Sequence, residues 1–417
     1  MTTPNIQRTI DAVWHIESAK LIAALARRVN DVGLAEDLAQ DALVAALEQW
    51  PTDGIPDNPA AWLMTVAKRR AVDHIRRTKI GERKYDELAR QKDDEPEAGK
   101  ADLEQIAGDD INDDLLRLIF IACHPVLSTE ARVTLTLRLL GGLTTEEIAH
   151  AFLVPTPTIA QRITRAKRTL SAAQIPFEVP PVNERVARLA TVLEVIYLIF
   201  NEGYAATTGE QWIRPELCDE ALRLGRILAE LTPFEAEVHG LVALMEIQAS
   251  RLSARVGPAG EPILLLDQNR AQWNYLLINR GLAALERARK LGGALGPYAM
   301  QAAIAACHAR ARSAEETNWE QIAALYDALA QLTPSPIIEL NRAVALGMAY
   351  GPAVGLELVD QLKDLQSLAN YHLLPSVRGD LLEKLGRVEE AGAEFARAAS
   401  LTQNQRERQL LLKRAEM

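Results

Sequence analysis

The sequence predicts an all-α protein. Alanine and leucine recur at spacings of three and four along almost all of its 417 residues, and stretches that alternate apolar with polar residues are nearly absent. Segment 147–170, EIAHAFLVPTPTIAQRITRAKRTL, has the periodicity, break and restart of two helices joined by a tight turn.

That segment is the most informative in the chain. Ile148, Ala149 and Phe152 fall on one face of a first helix, and Leu153, Val154 and Pro155 interrupt it. Thr156 offers a side-chain oxygen as N-cap, and Pro157 occupies the first helical position, where a missing backbone N–H costs nothing. In the second helix Ile159, Ile163, Ala166 and Leu170 share a buried face. Gln161, Arg162, Thr164, Arg165, Lys167 and Arg168 face outward. A helix-turn-helix that reads DNA needs this arrangement, with amide and guanidinium donors for base edges and cations for phosphates. Amphipathic helix pairs with a few basic residues are also common in helical proteins that never meet DNA, so the segment alone leaves both readings open.

Composition sets the bounds. Apolar residues make up 48% and charged residues 24%, the balance of a globular chain long enough for two to four domains. The net charge of −10 rules out a wholly basic nucleic-acid coat, although only the local field at a contact matters for DNA binding. Cys123, Cys218 and Cys307 lie far apart, so neither a disulfide framework nor a zinc site is expected. No apolar run approaches the roughly 20 residues of a membrane span, and no basic-then-apolar leader opens the chain, so a cytoplasmic protein is expected.

Five zones follow in order. Residues 8–90 are charge-balanced and helical. Residues 91–114 turn strongly acidic, with few apolar positions, and read as a linker. Residues 115–172 form a compact helical unit that ends in the helix-turn-helix, and the proline-containing segment 173–185 reads as a hinge. Residues 186–417 are an alanine-rich helical extension. Near its end Gly379, Leu382, Gly386, Ala391, Phe395 and Ala398 fall at the spacing of a tetratricopeptide (TPR) helix pair, and Ala343, Leu346 and Gly355 suggest a preceding unit. Small residues there let helices approach closely, so that stacked pairs bury a core no single pair could make. An irregular bundle with coincidental alanines is the alternative. Within the extension, 201–204 (Asn-Glu-Gly-Tyr) and 267–270 (Asp-Gln-Asn-Arg) cluster polar groups beside apolar helices, as a ligand contact or a satisfied buried network would.

Two helices lie in the first zone. In 34–50 Leu38, Ala42, Ala45, Ala46 and Trp50 can face a core. Glu36, Asp37, Gln40, Asp41 and Glu48 form an acidic face, either solvated or docked on a partner's basic helix. After the helix start at 57–59, Trp62, Leu63, Val66, Val72 and Ile75 supply apolar contacts, while Lys68, Arg69, Arg70, His74, Arg76, Arg77 and Lys79 crowd a short span. Cations at this density can follow a phosphate backbone while an aromatic or a shaped pocket holds an unstacked base, although Trp62 suits a core anchor equally well.

Taken together, DLAQDALVAALEQWP, NPAAWLMTVAKRRAVDHIRR and EIAHAFLVPTPTIAQRITRAKRTL resemble the extracytoplasmic-function (ECF) sigma factors of bacterial RNA polymerase in order, spacing and intervening length. The first two segments look like sigma region 2 and the third like region 4, and the long tail resembles the subgroup with a TPR-like C-terminal extension. The resemblance implies roles for particular residues. Asp37, Gln40, Asp41, Val44 and Glu48 stand where the family docks the clamp helices of the largest polymerase subunit. The cations from Lys68 to Lys79 stand where it engages and melts the minus-10 element. Thr158, Gln161, Arg162 and Arg165 stand where it reads the minus-35 element, with Lys167 and Arg168 on phosphate. It also implies a non-enzymatic function in promoter-directed transcription initiation, with core RNA polymerase and promoter DNA as partners. No cofactor or metal is expected, and the tail is expected to act in cis or to bind a protein or peptide. Two rivals remain at this stage. One is a duplex-binding regulator independent of polymerase, and the other is a repeat scaffold whose helix-turn-helix is a structural leftover.

Overall fold

The computed structural model describes residues 3–89, 108–292 and 294–416, with side chains described at 6–77, 112–292 and 294–416. The described residues are all-α apart from two-residue strands, and they divide into compact units at residues 1–195 and 196–417.

The first unit contains α1 (Thr3–Val29), α2 (Val32–Asp53), α3 (Pro59–Ala89), α4 (Gly108–Ala122), α5 (Thr129–Leu139), α6 (Thr145–Phe152), α7 (Thr156–Ala172) and most of α8 (Val182–Tyr204). Helix α1 is the hub, with α2, α3 and α4 packed against it. The core forecast for α2 holds: Leu38, Ala42, Ala45, Ala46 and Trp50 are all buried, and Trp62 of α3 meets Trp50 edge to face at 5.4 Å. Val72, expected in that core, is 39% exposed. Of the acidic stretch, residues 108–114 are the first turns of α4, and Asp114 is buried there between Arg27 and Arg117. Residues 91–107 lie outside the described residues.

The helix-turn-helix forms from α6 and α7, which pack together and against α5. Ile159, Ile163, Ala166 and Leu170 are its buried stripe, as the periodicity requires. Two local details differ from expectation. Helix α7 begins at Thr156, with Pro157 in its first turn and no side-chain cap, because Pro155 is the flanking residue. The capped helix is α6. The Thr144 hydroxyl accepts from the Glu147 amide at 3.1 Å and the Glu147 carboxylate accepts from the Thr144 amide at 2.8 Å, a complete capping box. At the other end of α6 Leu153 turns the chain in a left-handed conformation, φ 51°.

The second unit contains the end of α8 followed by α9 (Pro215–Leu231), α10 (Ala236–Ala249), α11 (Tyr275–Leu291), α12 (Pro297–Arg310), α13 (Trp319–Leu332), α14 (Pro336–Tyr350), α15 (Pro352–Leu362), α16 (Leu373–Lys384), α17 (Val388–Leu401) and α18 (Gln405–Ala415). From α12 onward each helix packs on the next. The small residues singled out in the sequence sit at the close crossings. A Cβ on Gly355 of α15 would lie 2.6 Å from the Ala343 carbonyl of α14, and one on Gly379 of α16 would lie 2.7 Å from the Phe395 ring of α17. Helices α9 and α13 stop at Leu231 and Leu332, ahead of Pro233 and Pro334. One pairing had no signal in the sequence: β1 (Thr208–Gly209) runs parallel to β2 (Gln403–Asn404), and the Asn404 amide donates to the carbonyls of Ala206 and Gln211.

Candidate nucleic-acid interface

Helix α2 presents two faces, and the boundary between them differs from the sequence reading at one residue. Asp37, Asp41, Val44 and Glu48 are exposed and Gln40 is half-buried, giving a carboxylate-rich strip with one apolar member. Glu36, expected on that strip, is only 2% exposed. Its carboxylate accepts from Arg138 Nε of α5 at 2.6 Å and meets Lys167 Nζ of α7 at 2.5 Å. The i, i+1 step from Glu36 to Asp37 turns about 100° around the helix, so adjacent acids on one helix take opposite fates.

Lys167 is therefore held in the first unit and points away from solvent. It also pairs with Asp37 Oδ1 at 3.0 Å, and one turn on, the Ser171 hydroxyl donates to Asp31 at 3.2 Å. Burial pulls the Lys167 ammonium down, but Glu36 and Asp37 outweigh it and hold its pKa above the ordinary lysine value. Asp31 has a double duty. Its other carboxylate oxygen caps α2 by accepting from the Leu34 amide at 2.9 Å. Beside these contacts lies a cavity of about 320 Å3, lined in part by Asn30, Asp31, Gly33, Lys167, Ser171 and Gln174. The seam between α2 and α7 is thus polar and incompletely filled, where a permanent core would be apolar and close-packed.

The remaining cations of α7 are presented outward. Gln161, Arg165 and Arg168 are exposed, while Thr158 and Arg162 are half-buried. On α3, Arg69, His74, Arg76 and Arg77 are exposed. Arg70 reaches Asp41 of α2 at 3.0 Å, a pair with both members well exposed. Lys68 is half-buried, and desolvation, with Arg28 adding to it, lowers its pKa. Lys79 lies outside the described side chains. The fold so gathers the acidic strip and the α7 helix on neighbouring elements, with α3 packed on the same α2. Arg138 and Glu36, which join α5, α7 and α2, were missed as a pair by sequence reasoning. They lie 102 positions apart and carry no local motif.

Three family models match parts of the chain. Residues 16–80 match the model of sigma-70 region 2, residues 117–170 match sigma-70, region 4, and residues 188–289 match a family of unknown function, DUF6596. The chain is 43% identical to an uncharacterized protein of Rhizobium meliloti over 92% of its own length and 89% of the relative's. It is 30% identical to the ECF RNA polymerase sigma factor SigK of Mycobacterium ulcerans over 36% of this chain and 78% of that one. It is 28% identical to the probable ECF RNA polymerase sigma factor SigI of Mycobacterium tuberculosis over 44% of this chain and 61% of that one. With both sigma-70 regions in order and a DUF6596 extension behind them, the chain belongs to the ECF RNA polymerase sigma factors and is not an enzyme.

Proposed function

We propose that residues 8–90 dock core RNA polymerase and engage the minus-10 element, that residues 115–172 read the minus-35 element, and that 186–417 form a TPR-like stack acting in cis or on a protein or peptide ligand. The strip of Asp37, Gln40, Asp41, Val44 and Glu48 meets the clamp helices of the largest subunit. Arg69, Arg70, His74, Arg76 and Arg77, with Lys68 and Lys79, follow the melted strand, and capture of unpaired bases offsets the few kcal/mol that unstacking costs. Thr158, Gln161, Arg162 and Arg165 face base edges, with Arg168 and Lys167 on phosphate.

The observation that carries this reading is the presentation of α2: a carboxylate strip left exposed beside α3, on which Arg69, His74, Arg76 and Arg77 are exposed as well. Duplex contacts from these modest patches alone are weak and salt-sensitive, so promoter affinity comes from the polymerase complex. The Lys167 bridge adds a condition. Asp37 cannot serve the polymerase and Lys167 the DNA while each holds the other, so engagement requires α7 to leave α2.

The test is run-off transcription by core polymerase with the full chain and with the double variant Asp37→Lys/Asp41→Lys. Charge reversal on the strip is expected to abolish polymerase association and transcription together. Initiation at the unaltered level by the variant, or tight duplex binding by the free chain at physiological salt, would sink the proposal.

A further inference from the structure

The second unit holds a ladder of alternating guanidinium groups and aromatic rings that the promoter reading does not use. Arg255 stacks on the Tyr204 ring at 3.7 Å from its centroid and lies 5.5 Å from the Trp212 ring. Arg251 lies 5.8 Å from Tyr204 and 5.9 Å from Trp273, and Arg270 lies 4.7 Å from Trp273. The rungs therefore run Trp212, Arg255, Tyr204, Arg251, Trp273, Arg270. All six fall within the stretch that matches the family of unknown function.

No direct ion pair among the described residues neutralises the three cations, and the only acids felt by Arg270 are the more distant Glu315 and Glu316. Among the described residues no carboxylate lies within 4 Å of Arg251, Arg255 or Arg270, although Arg251 and Arg270 are only 7% and 8% exposed. The nearby Glu202 is taken by Arg214. Arg270 donates to the carbonyls of His308 and Ala311 and to the Thr317 hydroxyl, and Arg255 donates to the Tyr204 carbonyl. The Arg251 guanidinium has no hydrogen-bond acceptor among the described residues. The Nε atoms of Arg251 and Arg255 and the indole N–H groups of Trp212 and Trp273 are all buried without partners. Four orphan donors in one ladder are a deficit of acceptors.

Aromatic faces cover only part of that deficit. A cation–π contact contributes about 0.5–2 kcal/mol, whereas burying an ion costs several kcal/mol even after relaxation. Three like charges in one place add repulsion. A purely structural ladder would do as well with methionine or leucine at position 251. What the ladder lacks is a compact, multiply charged acceptor, and a guanidinium fork is shaped for an oxyanion. Glu315 and Glu316 act on Arg270 only, so Arg251 and Arg255 stay unbalanced; a single carboxylate would answer one of these two, and the charge count favours phosphate. We propose that Arg251, Arg255 and Arg270, with Tyr204, Trp212 and Trp273, form a binding site for the phosphate group of a small-molecule ligand. Trp212, Tyr204 and Arg255 are half-buried while Arg251, Trp273 and Arg270 are buried, so the ladder comes nearest the surface at the Trp212 end.

The test uses the full chain and inorganic phosphate at constant ionic strength balanced with chloride, read by thermal unfolding and by tryptophan emission. Phosphate is expected to raise Tm in a saturable way, as a ligand that binds only the folded state must, and to change the emission of Trp212 and Trp273. Arg251→Gln should leave the unliganded chain at least as stable and should lose the phosphate response. Arg226→Gln, which alters a cation paired with Glu246 outside the ladder, should keep it. If Arg251→Gln fails to fold, Arg251→Lys is read instead and should bind phosphate at least tenfold more weakly. A Tm response no greater than that of chloride, an undiminished response in the Arg251 variants, or tighter binding of citrate than of phosphate would each overturn the assignment.

Discussion

Glu36 shows how much a single buried carboxylate can organise. It sits between Arg138 and Lys167 on two other helices, so replacing it leaves Arg138 without its carboxylate and Lys167 with only the exposed Asp37. Removing one partner of a buried ion pair costs about 3–5 kcal/mol, and the partial exposure of Arg138 and Lys167 places Glu36→Gln near the lower end. Asp41→Asn breaks an exposed pair with Arg70 and should cost less than about 1 kcal/mol. Urea unfolding of the two variants checks the contrast, and equal midpoints would refute it. His308 gives a second prediction. Burial, reinforced by Arg251 and Arg270, lowers its pKa from 6.5 to about 4. It stays neutral in the fold while the unfolded chain takes up a proton, so the fold loses stability as pH falls from 6.5 towards 4. The slope from this one group is at most about 1.4 kcal/mol per pH unit. Trp319 meets the His308 ring edge to face at 5.1 Å. His308→Gln should flatten the acid limb of a Tm-against-pH curve, and an unchanged limb would show that other groups carry it.

At the scale of the element, the spacing of apolar residues was legible and the partners of polar ones were not. The stripe of Ile159, Ile163, Ala166 and Leu170 follows from a period of 3.6 alone, as does the core face of α2. The capping box of α6 is also written in the sequence, as Thr144 three positions before Glu147, although Thr156 beside Pro157 gives the louder local signal. Glu36 could not be assigned by periodicity, because its burial depends on Arg138 and Lys167, more than a hundred positions downstream. The candidate DNA-facing residues on α7 were legible as a polar face, but the docking of that face on α2 through Lys167 was not. Close helix crossings are intermediate: small residues announce them without naming the partner. Gly240 of α10 is one. A Cβ there would lie 2.6 Å from the Ala299 backbone nitrogen of α12, where no flexible side chain can yield. Gly240→Ala should therefore destabilise the second unit by about 1–3 kcal/mol in spite of alanine's better helix propensity. A stabilised variant in chemical denaturation would mean that α10 and α12 can separate without loss.

The two sigma regions pack together within residues 1–195, and the proposed engagement of polymerase and promoter requires α7 to leave α2. Truncation is a poor probe. A cut after Glu184 removes Leu189 and Val192 from the core of the first unit, together with Arg188, which donates to the Phe120 carbonyl at 2.8 Å. Lost activity would then report damage to the sigma regions as readily as loss of the extension. A reversible lock is cleaner. Asp31 and Ser171 face each other across the seam, and cysteines at these two positions can be joined by a short, reducible bis-thiosulfonate. The native thiols should stay silent: all three are buried, and burial pushes Cys123 up to about 11 and Cys218 up to about 12, so little thiolate forms at neutral pH. The locked chain is expected to lose most of its run-off transcription and to regain it on reduction, while the uncrosslinked double variant initiates throughout. If the locked chain initiates as well as the reduced one, α7 need not leave α2, and the bridge from Lys167 to Glu36 and Asp37 is part of the active form.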